Sequence, residues 1–571
     1  RRRRDGGMDG NLQFSTVQSN RIAGYTPSGR IGIRTGRWTL TASGSGSFTP
    51  VAESRFTETR EQAGQPLPFA GRSDSKSRTN YGRGHFSAVF DPTPKHTAGF
   101  DIEYTERSTH MPTLSRTTLG QTQSDSRYRQ HMDGNTLTAT ANYIWKIDTL
   151  GSQFKLIADY TRYTSDGDNS YHTTTCAPGT LRDSLYESAT GSVYDILTAD
   201  AGLTRKLPHG LTLRAGLRYT RNDMADKSRY AAQTQGTWLA LPEYSYDQHY
   251  TEQIGAAYAS LEYSAGRWEL SAGLRGEYTS VASQAFGRSY FGLFPNVSVS
   301  RALNALRTWL LVAQWSRNIE RPAFPALNPA RIRISDYSWQ SGNPSLRPTY
   351  IHRFSLTAVW KYRYTLTVGG NLHHDLIREI AHRDATAPDA VYIRPENHYT
   401  ENHWFVAASV PAKITRWWNL SVNAVGVMQR IRLNSTDSPA THYLMFADAT
   451  CSFTLPAGFF AEAVYRAQSR LYSGNSEVGP RHTLSATVKK QLFGKRLTLF
   501  CTLSNITGCD WEFASLTDGM RRTIDTGQAW SGRLWKVGAA WNFRTGKKFR
   551  ARTVESAAET QRKRLVKSTE Q

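Results

Sequence analysis

The residues best suited to metal chemistry lie in one short stretch, residues 371–384, which read NLHHDLIREIAHRD and include three histidines and two aspartates. Imidazole and carboxylate groups are common ligands of transition metals in proteins. His373 and His374 are adjacent, however, and adjacent side chains on a strand point to opposite faces of the sheet. The histidines also lack the H-x-x-x-H spacing that places two ligands on one face of a helix. We therefore interpret the stretch as a polar strand end that enters a loop, and the sequence predicts no metal site and no cofactor.

The sequence also lacks the common catalytic signatures. There is no H-E-x-x-H, no G-x-S-x-G and no P-loop, the motifs that bind zinc, present a nucleophilic serine or hold phosphates. The four cysteines form no C-x-x-C pair, so neither a structural zinc site nor a disulfide framework is expected. These absences predict that the protein is not an enzyme.

The charge balance suggests nucleic acid as a first hypothesis. The chain has 70 Lys and Arg against 47 Asp and Glu, a net charge of +23, and a basic surface can bind nucleic acid. The first four arginines contribute +4 and the tail from Arg544 contributes +6, while the rest is scattered along the chain. No RNP, zinc-finger or helix-turn-helix signature concentrates it. We therefore expect no nucleic acid among the partners, since anionic lipid headgroups or an anionic ligand explain the charge as well.

The elements that must position these side chains follow a period of two residues, the period of a β-strand. Residues 267–280, RWELSAGLRGEYTS, show this alternation clearly. One face carries mainly apolar side chains and the other mainly polar ones: Trp268, Leu270, Ala272, Leu274 and Tyr278 against Glu269, Ser271, Arg275, Glu277 and Thr279. Aromatic residues bracket the apolar face, as they do in the interfacial girdles of membrane barrels. No run of 18 apolar residues is present, which excludes a membrane-spanning helix.

The connections between the alternating segments differ in length in a regular way. Ten are short and lie near residues 35–38, 91–96, 146–153, 207–210, 264–267, 301–308, 360–363, 411–417, 455–458 and 491–496. Eleven longer polar stretches lie near residues 20–29, 46–80, 105–130, 164–188, 221–248, 281–288, 317–347, 374–398, 431–440, 470–480 and 505–530. The sequence therefore predicts an all-β fold, a transmembrane antiparallel β-barrel of about 22 strands with short periplasmic turns and long extracellular loops.

A barrel of about 22 strands is too wide for its own side chains to fill, and such barrels hold a plug in the lumen. The first alternating strand begins almost at once, so we expect a plug upstream of Arg1. We divide the chain into residues 1–10, a junction after that missing plug, residues 11–543, the barrel, and residues 544–571, a basic periplasmic tail. The basic cluster 562–564 of this tail is expected to be disordered, with contact to periplasmic partners or an anionic surface as the alternative.

Charged side chains on the predicted inner wall are candidates for contact with a plug. They are Arg214, Arg218, Arg275 and Glu277, each at a polar position of an alternating strand. A plug must satisfy the polar groups of its surface against the wall. Guiding an anionic substrate is the alternative role for the same residues.

The most proline-rich stretch is residues 321–348, RPAFPALNPARIRISDYSWQSGNPSLRP, which follows the thirteenth predicted strand. Its five prolines cannot join a central hydrogen-bonded ladder, but they stiffen a loop by restricting the unfolded chain. The candidate external contacts of this loop, with a ligand or with lipid headgroups, are Arg321, Arg331, Arg333, Tyr337, Trp339 and Arg347. We expect an ordered loop that folds against the barrel mouth.

Several of these stretches resemble a known family. WSRNIERP (315–322), LNP (327–329) and GNPSLRP (342–348) flank and fill the proline-rich loop, while CTLSNITG (501–508) and RLWKVGAAWNF (533–543) resemble the last two barrel strands. Together they resemble the barrel portion of TonB-dependent receptors and the outer-membrane β-barrel proteins related to them. The resemblance implies a cell outer membrane location, contact with outer-membrane lipid and lipopolysaccharide, an N-terminal plug, and energy coupling through a TonB complex.

Two functions remain open at this point. The first is a ligand-gated transporter, which takes up an unidentified ligand across the outer membrane when the barrel is joined to its plug. The second is a non-transporting outer-membrane barrel that acts as a surface scaffold or assembly partner.

Overall fold

The computed structural model describes residues 6–284, 287–335, 337–385, 387, 389–508, 510–546 and 553–565. These residues form 29 strands, β1 to β29, in chain order. Their bounds are Gly7–Gln18, Ile22–Thr35, Trp38–Gln62, Gln65–Thr93, His96–Leu119, Thr122–Lys146, Gln153–Ala177, Thr180–Lys206, Leu211–Thr234, Thr237–Ala240, Tyr246–Ala265, Trp268–Ser283, Gly287–Ala302, Trp309–Glu320, Ile332–Ser335, Ser338–Gln340, Thr349–Trp360, Tyr364–Arg383, Val391–Lys413, Trp418–Arg432, Ala440–Thr454, Phe459–Gln468, Leu471–Ser473, Ser476–Val478, Arg481–Leu492, Leu497–Ser504, Trp511–Thr517, Met520–Gly527 and Leu534–Gly546.

Helical structure is sparse in the described part of the chain. There are two single-turn α-helices, α1 (Phe324–Leu327) and α2 (Glu559–Arg562). Four further turns are 3₁₀-helical: Pro208–Gly210, Pro242–Tyr244, Pro456–Gly458 and Lys563–Leu565. None of these helices is long and apolar enough to cross a membrane.

Twenty-two of the strands close into a single antiparallel barrel, which confirms the predicted fold. The barrel strands are β1–β9, β11–β14, β17–β22, β25, β26 and β29. The last strand returns to the first, and the two pair from Gly7 opposite Gly546 to Gln18 opposite Trp535. The paired strands thus extend a few residues beyond the predicted barrel bounds of 11 and 543 at each end.

The connections alternate between the two ends of the barrel as predicted. All ten predicted short connections lie at the end that also carries Gly7 and Gly546, and the other eleven lie at the opposite end. We call these the short-turn end and the long-loop end, which correspond to the predicted periplasmic and external sides. The proline-rich stretch 321–348 joins β14 to β17, the thirteenth and fourteenth strands of the barrel.

The seven strands from β3 to β9 are far longer than a membrane requires. They contain 24 to 29 residues each, roughly 80–95 Å at 3.3 Å per residue, whereas about 9–11 residues cross a bilayer. The prediction of long loops at residues 46–80, 105–130 and 164–188 is therefore wrong. These residues continue the ladder beyond the membrane and reverse in two-residue turns at 63–64, 120–121 and 178–179.

The error has a local physical cause. Polar residues on both faces of a segment are typical of a loop, but a ladder in water needs only paired backbone groups and no apolar face. The reversals themselves use glycine, because Gly64, Gly120 and Gly179 have positive φ angles of 77°, 59° and 77°.

Side chains on the barrel strands divide between two faces as the alternation predicted. The aromatic residues that bracket the apolar faces all lie on the exposed outer surface: Trp268, Tyr278, Trp309, Trp315, Trp535 and Trp541 are 39–54% exposed. Leu274, between two of them, is 49% exposed, whereas its inward-facing neighbour Arg275 forms an ion pair with Glu277. This arrangement places an apolar band with aromatic borders against lipid.

Several long-loop connections join the sheet rather than lying free. Within loop 321–348, β15 and β16 form a hairpin, and β16 pairs in parallel with β19. The last long connection forms the hairpin β27–β28, in which β28 pairs with the extension of β3 and β27 pairs with β24. These pairings hold the long-loop end in a defined arrangement.

The segment after β29 was predicted to be a periplasmic tail with a disordered basic cluster. Its described residues, 553–565, instead contact inward-facing side chains of the barrel wall. Arg564, a member of the basic cluster, is only 6% exposed. The prediction differs from the structure because the segment binds side chains that lie hundreds of residues away in the chain, which no local pattern indicates.

The two faces of β12 predict different losses of stability for an introduced arginine. Leu274→Arg places a guanidinium against lipid near the middle of the span and should cost about 2–4 kcal/mol of unfolding free energy. Ser271→Arg places it on the inner face of the same strand and should cost less. The measurement is the unfolding free energy of both variants in lipid vesicles, and equal losses would contradict the assignment.

Candidate functional site

The proline-rich connection 321–348, here called the mouth loop, folds into the lumen at the long-loop end. Its apolar residues Phe324, Leu327 and Leu346 are 1%, 3% and 0% exposed. They pack against inward-facing side chains of the wall: Tyr194, Ile196, Met224, Tyr250 and Val281. The loop therefore has its own small apolar core inside the barrel, which gives it a fixed structure without strand pairing along most of its length.

The first part of the mouth loop is shaped by a proline and an asparagine. Pro325 lies at the start of helix α1, where its missing N–H and fixed φ are tolerated. Asn328 follows the helix, and its Oδ1 accepts hydrogen bonds from the Ala330 N–H at 2.9 Å and the Tyr246 hydroxyl at 2.6 Å. The turn is thereby tied to strand β11 of the wall.

The GNPSLRP stretch returns across this turn at very short range. The Gly342 N–H donates to Asn328 O at 2.9 Å and the Asn343 N–H donates to Ala326 O at 2.7 Å. A Cβ atom at position 342 would lie 2.1 Å from Asn328 O, so only glycine fits there. Asn343 Nδ2 also donates to Pro395 O at 3.0 Å. The stretch that carries the family resemblance is thus the closure of the mouth loop on itself and on β19.

Arg321 anchors the beginning of the mouth loop to the wall. Its buried guanidinium donates to Glu277 Oε2 at 2.7 Å and to Thr279 Oγ1 at 2.9 Å, and it lies 3.9 Å from Glu252 Oε1. Glu252 is 2% exposed and accepts a hydrogen bond from Asn222 Nδ2 at 2.8 Å. Buried charges of this kind are tolerated when they are paired and hydrogen-bonded.

The ionisation of Glu252 follows from these neighbours. Glu252 pairs with Val281, which lies three residues beyond Tyr278 of the outer aromatic border on β12. Glu252 therefore lies outside the membrane span. Burial alone would raise the pKa of the Glu252 carboxyl, but attraction to Arg564 and Arg321 holds it below its usual value. Glu252 is therefore a fixed negative charge at neutral pH.

Two further anchors hold the middle and end of the mouth loop. Arg522 of β28 donates to Ser338 Oγ at 3.0 Å and to Glu58 Oε2 at 2.8 Å. Arg347 donates to Asp375 Oδ1 at 2.7 Å, and its backbone N–H donates to Asn397 Oδ1 at 2.9 Å. The loop is therefore bound to both sides of the lumen.

The remaining predicted external contacts also touch the protein itself. The Arg331 guanidinium lies 4.5 Å from the centre of the Trp339 ring, and its other neighbours include Asp384 at 3.5 Å. Arg333 lies 5.6 Å from the Tyr186 ring, and Tyr337 meets Phe69 edge-on at 5.8 Å. The structure thus gives each of the six residues a contact within the barrel, and any contact with a ligand remains a proposal.

The predicted lumen-wall residues form ion pairs within the wall. Arg214 lies 3.0 Å from Glu262 and Arg218 lies 2.8 Å from Asp200. Arg275 lies 2.5 Å from Glu277, which also holds Arg321. Arg218 and Glu277 lie at the same level on β9 and β12, the two neighbours of β11, and Arg275 lies at the next inward position from Glu277 on β12. Arg214 lies nearer the short-turn end.

Sequence reasoning missed a charged cluster on strands β18 to β20. The Glu401 carboxylate is completely buried and accepts hydrogen bonds from Arg378 at 2.8 and 3.2 Å, His403 at 2.8 Å and Gln429 at 2.8 Å. His398 Nδ1 lies 3.5 Å away. Burial would raise the pKa of Glu401, but His398, His403 and Arg378 hold it well below its usual range. The available signal was ENH (401–403), which places Glu401 and His403 on one face of a strand; the alternation did not predict His398, which lies three residues from Glu401.

The histidines of stretch 371–384 are divided as the strand pattern predicted. His373 points inward, and its Nδ1–H donates to Glu401 O at 2.7 Å, whereas His374 meets the exposed Tyr399 edge-on, with the ring centres 5.7 Å apart. Burial lowers the pKa of His373 to about 4. No group of three or more His, Cys, Asp or Glu side chains in the described residues is arranged to hold a metal ion.

The lumen beneath the last long connection contains an open cavity of about 410 Å³. Its lining includes Asn423, Phe446, Asp448 and Arg466 from the wall and Trp511 and Trp530 from the connection. Arg481 also lines it and stacks on Trp511, with the guanidinium 4.1 Å from the ring centre. The volume lies in the range of small-molecule sites, and two arginines against one carboxylate, Asp448, give the lining a net positive charge that suits an anionic ligand.

A closed, lipid-facing barrel with a polar lumen and a loop folded into its mouth defines an integral protein of the outer membrane. The chain belongs to the outer membrane protein beta-barrel family, which its residues 145–538 match. No curated protein matches this sequence.

Solved structures of receptors and a transporter share the fold. The siderophore receptor PirA from Pseudomonas aeruginosa is 13% identical, with 95% of this chain and 81% of that chain covered and a TM-score of 0.57. A mutant of the ferric enterobactin receptor PfeA from Pseudomonas aeruginosa is 13% identical over 94% of this chain and 80% of that one, with a TM-score of 0.59. The copper transporter OprC is 11% identical over 95% and 81%, with a TM-score of 0.61. The predicted resemblance to the barrel of TonB-dependent receptors is therefore confirmed for the fold.

The close approach at Gly342 predicts a specific effect on the mouth loop. Gly342→Ala should push the GNPSLRP stretch away from Asn328 and destabilise the loop by about 1–3 kcal/mol, the usual cost of overpacking. Gly532→Ala is the matched control, since a Cβ there meets nothing within 4 Å. Hydrogen exchange of residues 321–348 checks the prediction, which fails when both variants exchange alike.

The His373 environment predicts a pH dependence. The folded protein should bind a proton at His373 only near pH 4, whereas the unfolded chain binds it near 6.5. Stability that depends on the neutral imidazole is therefore complete above pH 6.5 and is lost as the pH falls from 6.5 to about 4. Imidazole chemical shifts of labelled histidine, assigned with His373→Gln, give the folded pKa; a value near 6.5 would refute the prediction.

Proposed function

We propose that this chain is the membrane barrel of a ligand-gated importer of the TonB-dependent receptor class. In this role a ligand binds at the long-loop end, and a plug domain joined to the barrel rearranges to open a path. The observation that carries the proposal is the combination of a 22-strand lumen with a mouth that is narrowed from inside by a folded loop beside an open, basic and aromatic cavity. A lumen of this width requires a plug to be sealed.

The cavity beneath the last long connection is the favoured ligand contact. Arg466 and Arg481 supply positive charge, and Phe446 and Trp530, which are 37% and 52% exposed, supply apolar surface. The predicted contacts of the mouth loop are favoured less, because Arg321 and Arg347 are already bound to wall carboxylates. We propose accordingly that the mouth loop shapes the entrance and that the cavity receives the ligand.

The ion pairs of the lumen wall are proposed to face the plug. Arg214 and Glu262 are about half and one third exposed, respectively, and therefore retain surface for a second polar partner. Arg275 and Glu277 are less exposed and serve chiefly to hold Arg321 and the mouth loop. This division makes the short-turn half of the wall the proposed surface for plug contact.

A second function has support from one observation. The mouth loop and residues 553–565 both occupy the lumen, which favours an occluded barrel that serves as a surface scaffold or assembly partner. Such a barrel requires no plug rearrangement and no energy coupling. The two functions therefore differ in the segment expected before the barrel.

The importer proposal predicts the coding sequence upstream of Arg1. We expect it to encode a plug domain and a short TonB-binding segment, because a wide barrel must be sealed and energy must reach the seal. Sequencing the upstream DNA checks this directly. A signal peptide joined immediately to Arg1 would eliminate the importer and leave the scaffold.

A further inference from the structure

The segment formed by residues 553–565, here called the lumen tail, lies along the inner wall from the short-turn end toward the mouth. Val554 packs at Gly99, three residues from the start of β5, and Glu555 forms an ion pair with Lys155 near the start of β7. Farther along, the Ala557 N–H donates to Asp159 Oδ2 at 2.7 Å. Asp159 lies four residues nearer the mouth than Lys155 on the same strand, so the tail runs toward the mouth along β7.

The upper end of the lumen tail contacts the mouth loop. Gln561 Oε1 accepts hydrogen bonds from Asn222 Nδ2 at 3.3 Å and from Arg564 Nη1 at 2.8 Å. Leu565 packs against the apolar core that contains Phe324 and Leu346. The tail therefore ends in the same core that holds the mouth loop in place.

Arg564 makes the most specific of these contacts. Its Nη1 donates to Glu252 Oε2 at 2.5 Å and its Nε donates to Pro322 O at 2.9 Å. The guanidinium carbon lies 4.2 Å from the centre of the Phe324 ring. Glu252 belongs to the wall, whereas Pro322 and Phe324 belong to the mouth loop, so one guanidinium bridges the two.

The chemistry of this site selects a guanidinium over an ammonium. A planar guanidinium can donate hydrogen bonds to a carboxylate and to a carbonyl in different directions while its face lies on an aromatic ring. A lysine side chain presents a compact, strongly hydrated charge and cannot satisfy the three partners together. Glu252 and Asn222 are 2% and 0% exposed, which makes the site a built and largely dry one.

We propose that Glu252, Asn222 and the Pro322–Phe324 turn form a guanidinium-binding site, and that Arg564 fills it to lock the mouth loop inside the lumen. Removal of Arg564 leaves Glu252 with Arg321 at 3.9 Å and leaves Pro322 O and the Phe324 ring without their cationic partner. The loop then loses one of its ties to strand β11 and keeps those through Arg321 and Asn328. This role does not depend on the proposed uptake function, because it concerns only the barrel, the mouth loop and the lumen tail.

The test compares Arg564→Ala with Arg562→Ala in the complete 571-residue chain in lipid nanodiscs. Arg562 donates to Ser556 Oγ within the tail at 3.3 Å and is the matched control. Hydrogen exchange of residues 322–328 should be about tenfold faster or more in Arg564→Ala, since a charged hydrogen bond is lost, and unchanged in Arg562→Ala. Equal exchange in wild type and Arg564→Ala overturns the lock.

Chemical rescue tests the specificity of the site. Methylguanidinium added to Arg564→Ala should restore slow exchange of residues 322–328, and methylammonium at the same concentration should not. The double variant Arg564→Ala with Glu252→Gln should not be rescued by either probe. Rescue by both cations, or by neither, overturns the assignment of a guanidinium site.

Limited trypsin digestion tests the position of the tail and remains informative if a variant fails to fold. Arg562, Lys563 and Arg564 should be protected from trypsin in the native wild-type chain and cleaved rapidly after heat unfolding. The same protection is expected when the chain carries its natural upstream sequence. Rapid cleavage of the native protein in either form overturns the proposal.

Discussion

The structure depends above all on the closure of the backbone ladder between β1 and β29. A bilayer core offers no water to backbone N–H and C=O groups, so a spanning sheet must pair every one of them and can have no open edge. The pairing of Gly7–Gln18 with Trp535–Gly546 removes that edge. Closure with 22 strands also sets the width of the lumen, and a lumen of this width cannot be filled by side chains from the wall alone. The inward mouth loop and the lumen tail follow from that constraint.

The polarity of the inner wall is the second consequence. One face of each strand must meet lipid, so the polar residues of the alternation are forced inward. Inside, their charges are shared: Glu277 binds Arg275 and Arg321, and Glu252 binds Arg321 and Arg564. Each pair joins one cation to one anion, so these pairs stabilise the inner wall and leave the net charge of +23 unchanged.

The barrel could be predicted from the sequence because its signals are local. Alternation over about ten residues determined which side of β12 carries Leu274 and which carries Arg275, and the length of each turn determined the order of the strands. The extensions of β3 to β9 could not be recognised, because a two-sided polar ladder in water has the composition of a loop. The alternation could not predict contacts between residues far apart in the chain, such as the hydrogen bonds from Arg378 and Gln429 to Glu401.

The mouth loop shows why resemblance located a site that spacing could not. The GNPSLRP stretch was singled out by its similarity to a family, and its physical content became clear only from the structure. Gly342 permits contact with Asn328, Asn343 reaches Pro395, and Leu346 enters the apolar core. None of these partners is implied by the stretch itself, since each belongs to a different turn or strand.

The position of the tail links the two ends of the molecule. Residues 553–565 contact Lys155 near the short-turn end, then Asp159, and finally Asn222 and Glu252 near the mouth. Two distant sites are coupled when both shift the equilibrium of the same structural element, and proximity alone does not establish such coupling. Here the element is the bridge that Arg564 makes between wall and loop. Any force that draws the tail toward the short-turn end must break that bridge. The anchors of the mouth loop that do not involve the tail lie at Arg321, Asn328, Ser338, Asn343 and Arg347. The state of the mouth is thus tied to a segment that enters from the opposite end of the barrel.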